Sequence, residues 1–356
     1  MCIIARYLSI SVEDNVRLCM SSPETSRRKS VCFFCRTDDP SILERVDFYA
    51  QDLRILESLG FDVRIATRPS DLVVADLYFV WWWTWAFLPI ALARSLRRPA
   101  VVTGTFDLWM FDERPRVHRM LHRFALRNAT ANVFISELEL NAVSEAFTTR
   151  NPLYVPLGVD TRKLVPALSG ERESFLLTIA GSGMDNGNSV RKCIAELIRA
   201  APLVRREHPD ARFIIVGKKG SDYPHLQALA RDVGAESYIE FPGVISEQEK
   251  ISMLQRCRAY LQPSRHEGFG LGVLEAMSCG APVVTSAVGA LPEVGGDAVR
   301  YAPDASPEAI ARTTNELLGN DDARGRLSTL ARERARSLFS IDRRTADLRR
   351  ILAPLA

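Results

Sequence analysis

The chain has 356 residues, 47% hydrophobic and 25% charged, with a formal net charge of +3. That composition describes an ordinary soluble globular protein long enough for two domains, with no low-complexity tract or internal repeat. The near balance of 46 basic and 43 acidic residues implies no nucleic-acid partner, and seven scattered cysteines, an odd number, suit a reducing compartment better than a disulfide framework. Cytoplasm is the expected location.

Residues 1–30 carry neither the long apolar core of a signal peptide nor the length of a membrane helix, and they end in Ser26-Arg-Arg-Lys-Ser30. They are expected to form a flexible tail, or an over-long start with Met20 as an alternative initiator. From Val31 short β-rich runs alternate with helical segments. Strands are expected over residues 31–35, 62–67, 73–80, 100–103 and 132–135, and helices near 45–59, 84–98, 116–127 and 136–147. Cys32 and Cys35 form a Cys-x-x-Cys pair, but they lie in the apolar run Val31-Cys-Phe-Phe-Cys35 with no second pair, so buried strand residues are expected and no metal site. Tyr78-Phe-Val-Trp81-Trp-Trp-Thr-Trp85 is an aromatic anomaly. Core packing is the favoured reading; a peripheral membrane contact, helped by Arg94, Arg97, Arg98, Arg114, Arg116, Arg119 and Arg123, is the other.

Pro156 and Gly158 break both periodicities and mark a domain junction. A second alternating series follows, with strands at 175–179, 212–216, 238–241 and 259–262 and helices at 190–205, 225–233 and 247–257. Residues 306–318 and 321–355 are rich in Ala, Arg and Leu at helical spacing. Such alternation implies an α/β protein with two Rossmann-like, doubly wound, mainly parallel sheets facing one cleft.

The most specific chemistry lies in Glu267-Gly-Phe-Gly-Leu-Gly-Val-Leu-Glu275, two carboxylates flanking a glycine-rich turn between an expected strand and an expected helix. Backbone amides of Gly268, Phe269, Gly270 and Leu271 would stand at a helix N-terminus, where unpaired N–H groups and the helix dipole attract a diphosphate. Glu267 and Glu275 suit vicinal hydroxyls better than phosphate, one at each end of a nucleotide sugar.

The string Ser264-Arg-His-Glu267-Gly-Phe-Gly-Leu-Gly-Val-Leu-Glu275-Ala-Met-Ser-Cys-Gly280-Ala-Pro-Val-Val284 closely resembles the donor-site signature of family-4 retaining glycosyltransferases (glycosyl transferases group 1), which have the GT-B fold. The resemblance continues through Phe213-Ile-Ile-Val-Gly217, Ile239-Glu-Phe-Pro-Gly243, Gly289-Ala-Leu-Pro-Glu293 and Phe339-Ser-Ile-Asp342, and spans roughly residues 153 to 350. It implies an N-terminal acceptor domain over 31–157, a C-terminal donor domain over 158–338, and a last helix over 339–356 that braces the first domain. It puts Lys192 in register with the family's phosphate-binding lysine. The family's usual arginine after the first strand of that domain is here Ser182, which leaves Arg191 or Lys218 to supply the charge. Val244 matches a base-pocket position, and Glu293 joins the donor set mainly by resemblance, with capping of the next helix as the other reading. In the acceptor half the family's usual histidine is absent. Asp107, at a strand's end, would orient the acceptor hydroxyl or serve as a turn residue, Asp39 would line the cleft, and His118 reads as a helix-face residue.

These residues imply transfer of a hexose, of mannose or glucose type, from a GDP- or UDP-sugar to a glycan or lipid-linked acceptor in cell-surface polysaccharide or glycolipid synthesis, with no metal and no cofactor. Two other readings stand: a nucleotide-sugar epimerase on the same frame, and an inert donor-binding protein, suggested by the missing Arg and His.

Overall fold

The computed structural model describes residues 28–167, 172–180, 184–185 and 187–355. Most of the expected tail and Ser182 lie outside these residues. Ser30, placed in that tail from sequence, is instead buried and opens the first strand, where its amide and hydroxyl both donate to Asp76 Oδ2 at 2.9 and 3.0 Å.

The first half holds six parallel strands, β1 (Ser30–Cys35), β2 (Asp62–Ala66), β3 (Leu77–Trp81), β4 (Ala100–Gly104), β5 (Ala131–Phe134) and β6 (Pro152–Tyr154), in the order β2-β1-β3-β4-β5-β6. Helices α1 (Ile42–Arg45), α2 (Asp47–Ser58), α3 (Phe87–Ser95), α4 (Arg116–Asn128) and α5 (Glu137–Ala146) connect them. β1 is buried at every position, because helices cover both faces of a parallel sheet and the strand reads as a continuous apolar run. Cys32 and Cys35 sit there as buried free thiols, which burial pushes above the ordinary thiol range.

The third strand begins four residues later than its expected start at Val73, since Val73 leaves the sheet and its carbonyl accepts from the Tyr78 hydroxyl at 2.9 Å. β6 was not expected at all. It is three residues long and lies at the sheet edge, where a proline lacking an N–H is tolerated.

The second half repeats the plan with β7 (Phe175–Ile179), α6 (Asn188–Arg191), α7 (Ile194–Glu207), β8 (Arg212–Val216), α8 (Tyr223–Asp232), β9 (Ile239–Gly243), α9 (Glu247–Arg256), β10 (Ala259–Gln262), α10 (Leu271–Ser278), β11 (Val283–Ser286), α11 (Leu291–Gly295) and β12 (Arg300–Ala302). Its parallel sheet has the order β12-β11-β10-β7-β8-β9. Counted from β7, that is the 3-2-1-4-5-6 order of dinucleotide-binding sheets, with its switch point between β7 and β10. The single helix expected over 190–205 is broken after Lys192 by Cys193, which takes the left-handed conformation at φ 52°.

Helices α12 (Pro307–Leu318), α13 (Asp321–Leu338) and α14 (Ile341–Leu352) close the chain. α14 returns to the first half. Its Arg344, 1% exposed, donates Nε and Nη2 to the two oxygens of Asp52 on α2 at 2.7 and 2.9 Å, and Nη1 to the carbonyls of Val155 and Pro156. Both crossings between the halves touch here. Val159 N donates to Phe339 O and Ile341 N to Val159 O, each at 2.9 Å, and a Cβ on Gly158 would stand 2.9 Å from the Ile341 backbone, so only glycine fits without displacement.

Candidate active site

The second-half switch point places β7 and β10 side by side, and each sends a loop over the end of the sheet. After β7 the chain reaches α6 and Lys192; after β10 it reaches Glu267. The two meet. Glu267 Oε2 accepts from Lys192 Nζ at 2.8 Å, Arg191 Nη1 at 3.1 Å, Gln262 Nε2 at 3.0 Å and Ser264 Oγ at 3.3 Å. The Gln262 amide is oriented in turn by the buried Tyr260 hydroxyl, which donates to its Oε1 at 2.8 Å. Burial alone would raise the Glu267 pKa, but the Lys192 ammonium and the Arg191 guanidinium outweigh it and hold the carboxyl below its ordinary range. Glu267 is therefore an anchored carboxylate, not an acid.

Gly268 to Leu271 follow immediately. Gly270, at φ 103°, precedes the first turn of α10 without a side-chain cap, which leaves first-turn N–H groups for a ligand. The Phe269 side chain is buried against Phe339, ring centroids 6.0 Å apart, so its contribution to a ligand is confined to the backbone. Gly268 faces the first half: a Cβ there would lie 2.4 Å from Thr105 Cγ2.

Glu275, on α10, is 7% exposed and bonded through Oε1 to Lys250 Nζ of α9 at 2.6 Å; Lys250 also lies 3.5 Å from Asp47 of α2. Burial pushes Glu275 up and the Lys250 ammonium opposes it. The two carboxylates of the signature thus rest on separate cations. Lys218 and Val244 are exposed, Lys218 just past the end of β8 and Val244, 76% exposed, just past the end of β9. Glu293 does cap a helix, but in the opposite half: its Oε2 accepts from Ser136 Oγ at 3.0 Å and Glu137 N at 2.9 Å at the start of α5.

The first-half switch point, between β1 and β3, opens on a cavity of 150 Å³ whose lining includes Arg36, Trp82, Trp85, Asp107, Arg114 and His122. The tryptophan run is divided between two roles. Trp81 and Trp83 are 1% exposed, Trp83 stacked on Phe134 at 5.0 Å and donating to Asn132, as core packing requires. Trp82, strained at φ 77°, donates Nε1 to the Tyr49 hydroxyl at 2.7 Å, and Trp85 is 44% exposed with the Arg36 guanidinium 6.0 Å from its ring centroid.

His122, not His118, is the histidine of this cavity. Its Nδ1 pairs with the His118 carbonyl at 2.7 Å, so Nδ1 carries the proton and Nε2 accepts from Arg114 Nη1 at 3.1 Å and from Thr84 Oγ1 at 3.2 Å. Burial, with Arg114 close by, lowers its pKa to about 4 and keeps it neutral. Arg114, grouped from sequence with surface arginines, is instead 22% exposed and lies 3.9 Å from the Asp107 carboxylate. Asp107 faces across the cleft to His266 Nε2 at 3.5 Å, an ion-pair separation rather than a well-formed hydrogen bond, and Trp109 packs on the His266 ring at 4.5 Å. Burial tends to raise the Asp107 pKa, but His266 and Arg114 hold it below the carboxylate range.

Sequence reasoning missed Arg114, His122 and Lys250 as site residues. The i, i+4 spacing of His118 and His122 on one helix was the available signal for His122; Lys250 gave none. Among the described residues no group of three or more His, Cys, Asp or Glu side chains is placed to hold a metal ion, and no helix is long and apolar enough to cross a membrane.

Two facing parallel α/β sheets, with cations and a helix N-terminus gathered at the switch point of the second, define a GT-B fold. The chain matches the family model Glycosyl transferases group 1 over residues 187–334, and over that stretch it is similar to the group 1 glycosyltransferases. It is 30% identical over 189 residues to the MMP alpha-(1->4)-mannosyltransferase of Mycolicibacterium hassiacum, covering 52% of this chain and 44% of that one. It is 36% identical over 138 residues to the O-antigen chain mannosyltransferase B of Escherichia coli, 38% of this chain and 35% of that one. A longer match, 29% over 276 residues, covers 72% of this chain and 71% of a GDP-mannose-dependent phosphatidylinositol monomannoside mannosyltransferase of Mycolicibacterium smegmatis. The first two matches therefore span less than half of each relative. Among solved structures, sucrose-phosphate synthase of Thermosynechococcus elongatus superposes with a TM-score of 0.77 at 18% identity, covering 92% of this chain and 99% of that one. Anabaena HepE in complex with UDP and glucose gives 0.73 at 17%, covering 92% and 100%. At these identities the likeness is one of fold.

Proposed function

We propose that this protein is a retaining, metal-independent glycosyltransferase that moves a hexose from a nucleoside diphosphate sugar to a glycan or lipid-linked acceptor. The observation that carries this reading is the meeting of Lys192, Arg191 and Glu267 beside the N-terminus of α10, at a switch point where α/β sheets bind ligands. The proposed division of labour is a donor half over residues 158–338, an acceptor half over 31–157, and a bracing helix over 339–356.

In this scheme the diphosphate lies over the amides of Gly268 to Leu271, neutralised by Lys192 and Arg191 with Lys218 at the rim. All four of the contacts described for Glu267 fall on Oε2, so Oε1 is the oxygen that meets a donor-sugar hydroxyl. Glu275 takes the ribose hydroxyls on the oxygen that Lys250 leaves, and Val244 borders the base. Glu293 acts from behind the donor, holding α11 against α5. Asp107 orients the acceptor hydroxyl, which approaches the anomeric carbon on the face the diphosphate leaves; a leaving-group oxygen takes the acceptor's proton. No protein nucleophile is needed, so catalysis consists of alignment by closure of the halves and electrostatic support of an oxocarbenium-like state.

The curated relatives, several named as mannosyltransferases, favour mannose from GDP-mannose; glucose from a UDP donor is the alternative, in keeping with the ligands named for HepE. A hydrolysis screen over GDP- and UDP-sugars decides between them, with Glu275→Ala expected to raise KM for the productive donor. If no nucleotide sugar binds or is hydrolysed, the reading fails. A cytoplasmic enzyme working at a membrane surface fits the acceptor half, where Val117 and Met120 are 63% and 69% exposed beside Arg116 and Arg123 on α4. Co-sedimentation with anionic vesicles checks that contact.

A further inference from the structure

Asp107 occupies the left-handed region at φ 53° and ψ 56°, a conformation that a non-glycine residue holds only when its surroundings fix it. What fixes it is one carboxylate. Glu139, in the first turn of α5, accepts from Phe106 N on Oε2 at 2.7 Å and from Asp107 N on Oε1 at 2.5 Å. On its other side the same peptide is held by Arg114 Nη2, which donates to Phe106 O at 3.1 Å. Glu139 is itself tied to the donor half: Ser136 Oγ accepts from Glu139 N at 3.4 Å and donates to Glu293 Oε2 at 3.0 Å.

We infer that Glu139 is a positioning residue for acceptor activation: its ionised carboxylate clamps the amides of Phe106 and Asp107 and thereby aims Asp107 into the cleft toward His266. The inference rests on the proposed transferase reading for its consequence in turnover, but the clamp is a property of the fold alone. Each carboxylate oxygen takes one N–H, so only the ionised form satisfies both; protonation turns one oxygen into a hydroxyl facing a donor, and the clamp loses half its grip. Burial raises the Glu139 pKa to about 7, with the Asp107 carboxylate adding to the rise and the two amides and His266 opposing it. The charged groups around it are Asp107 and Arg114 of its own half, His266 across the cleft, and Glu137 and Glu293 at the helix start. Because the pKa is raised, the clamp is complete above about pH 7 and loosens as pH falls below it.

The experiment uses the full chain and has two readouts. In 15N spectra the Phe106 and Asp107 amides should titrate together near neutral pH, and Glu139→Gln should abolish that titration. With GDP-mannose or UDP-glucose as donor and water as acceptor, Glu139→Gln should lower kcat by up to about a hundredfold with donor KM unchanged, and should flatten the rise of kcat through neutral pH. Added to Asp107→Asn, it should cost little more, since both act at one point. A Glu139→Gln variant with unchanged kcat, or losses that add with Asp107→Asn, overturns the inference. If neither donor binds, the transferase reading falls, and the amide titration still decides the clamp: its absence sinks it.

Discussion

The two halves solve different problems at the same topological place. At the second-half switch point charge is concentrated: a lysine and an arginine converge on one oxygen of Glu267, and Glu275 keeps its own lysine. At the first-half switch point charge is spread, with a neutral histidine, an arginine committed to backbone and imidazole acceptors, and one carboxylate facing the other half. On the proposed reading, a diphosphate site is built from one local string plus one lysine, whereas a site that aims a single hydroxyl draws on several separate segments. Sequence reasoning reads the first kind and loses the second.

The largest effect should come from Lys192→Ala. It removes a cation that lies 2.8 Å from Glu267, leaving a buried carboxylate with less compensation and the diphosphate without its main support. Loss of one such group is expected to lower kcat by about 10²- to 10³-fold, read in donor hydrolysis. Removing half of a buried ion pair also costs roughly 3–5 kcal/mol of stability, read as a fall in the denaturant midpoint. Near-normal kcat would mean that Arg191 and the helix amides carry the charge alone.

How the halves meet sets the next test. Gly268→Ala places a Cβ 2.4 Å from Thr105 Cγ2 across the cleft, and the β-branched threonine side chain is stiff about χ1. Nucleotide affinity, which the proposed reading assigns to the second half, should be kept while kcat falls about tenfold or more through imperfect closure. Thr105→Ala in the same chain should restore most of it. Additive losses in that double-mutant cycle would show that the contact does not limit closure.

Glu267, Gly270 and most of α10, expected over 273–279 and found over Leu271–Ser278, were legible in the sequence because their chemistry is contiguous, and Lys192 was legible only through its register in a recognisable motif. The strands at 175–179, 212–216 and 259–262 were placed to the residue, being apolar runs closed by turns. β6 was not, because three half-buried residues give no periodicity. Arg114 and His122 escaped for another reason. Their roles come from the bend of the chain after Asp107 and the packing of α4 on the Trp83–Trp85 turn, neither of which leaves a local pattern.

His122 offers a pH test confined to the first half. Its pKa falls from 6.5 to about 4 on folding, so between those values the unfolded chain binds a proton that the folded chain refuses. Stability should therefore drop as pH falls from 6.5 toward 4, by up to roughly 3 kcal/mol. Glu139 works with the opposite sign: its raised pKa makes stability fall as pH rises from 4.5 to about 7. The prediction is thus a difference. His122→Gln, which can still accept from Arg114, should lose stability less steeply than the parent in acid melts, and equal slopes would remove His122 as the cause.

The smallest expected effect separates two roles for Glu293. Its Oε2 caps α5 through Ser136 and Glu137, so Glu293→Ala should cost about 1 kcal/mol, the usual price of a lost cap. Because Ser136 keeps its own bond to the Glu139 amide, the helix should persist and the loss stay small. As a strut between the halves, Glu293 should affect kcat more than nucleotide affinity. The reverse pattern, weakened nucleotide binding at unchanged stability, would instead put Glu293 in direct contact with the donor, and the charge-dense half would then reach further along α11 than its contacts with Ser136 and Glu137 indicate.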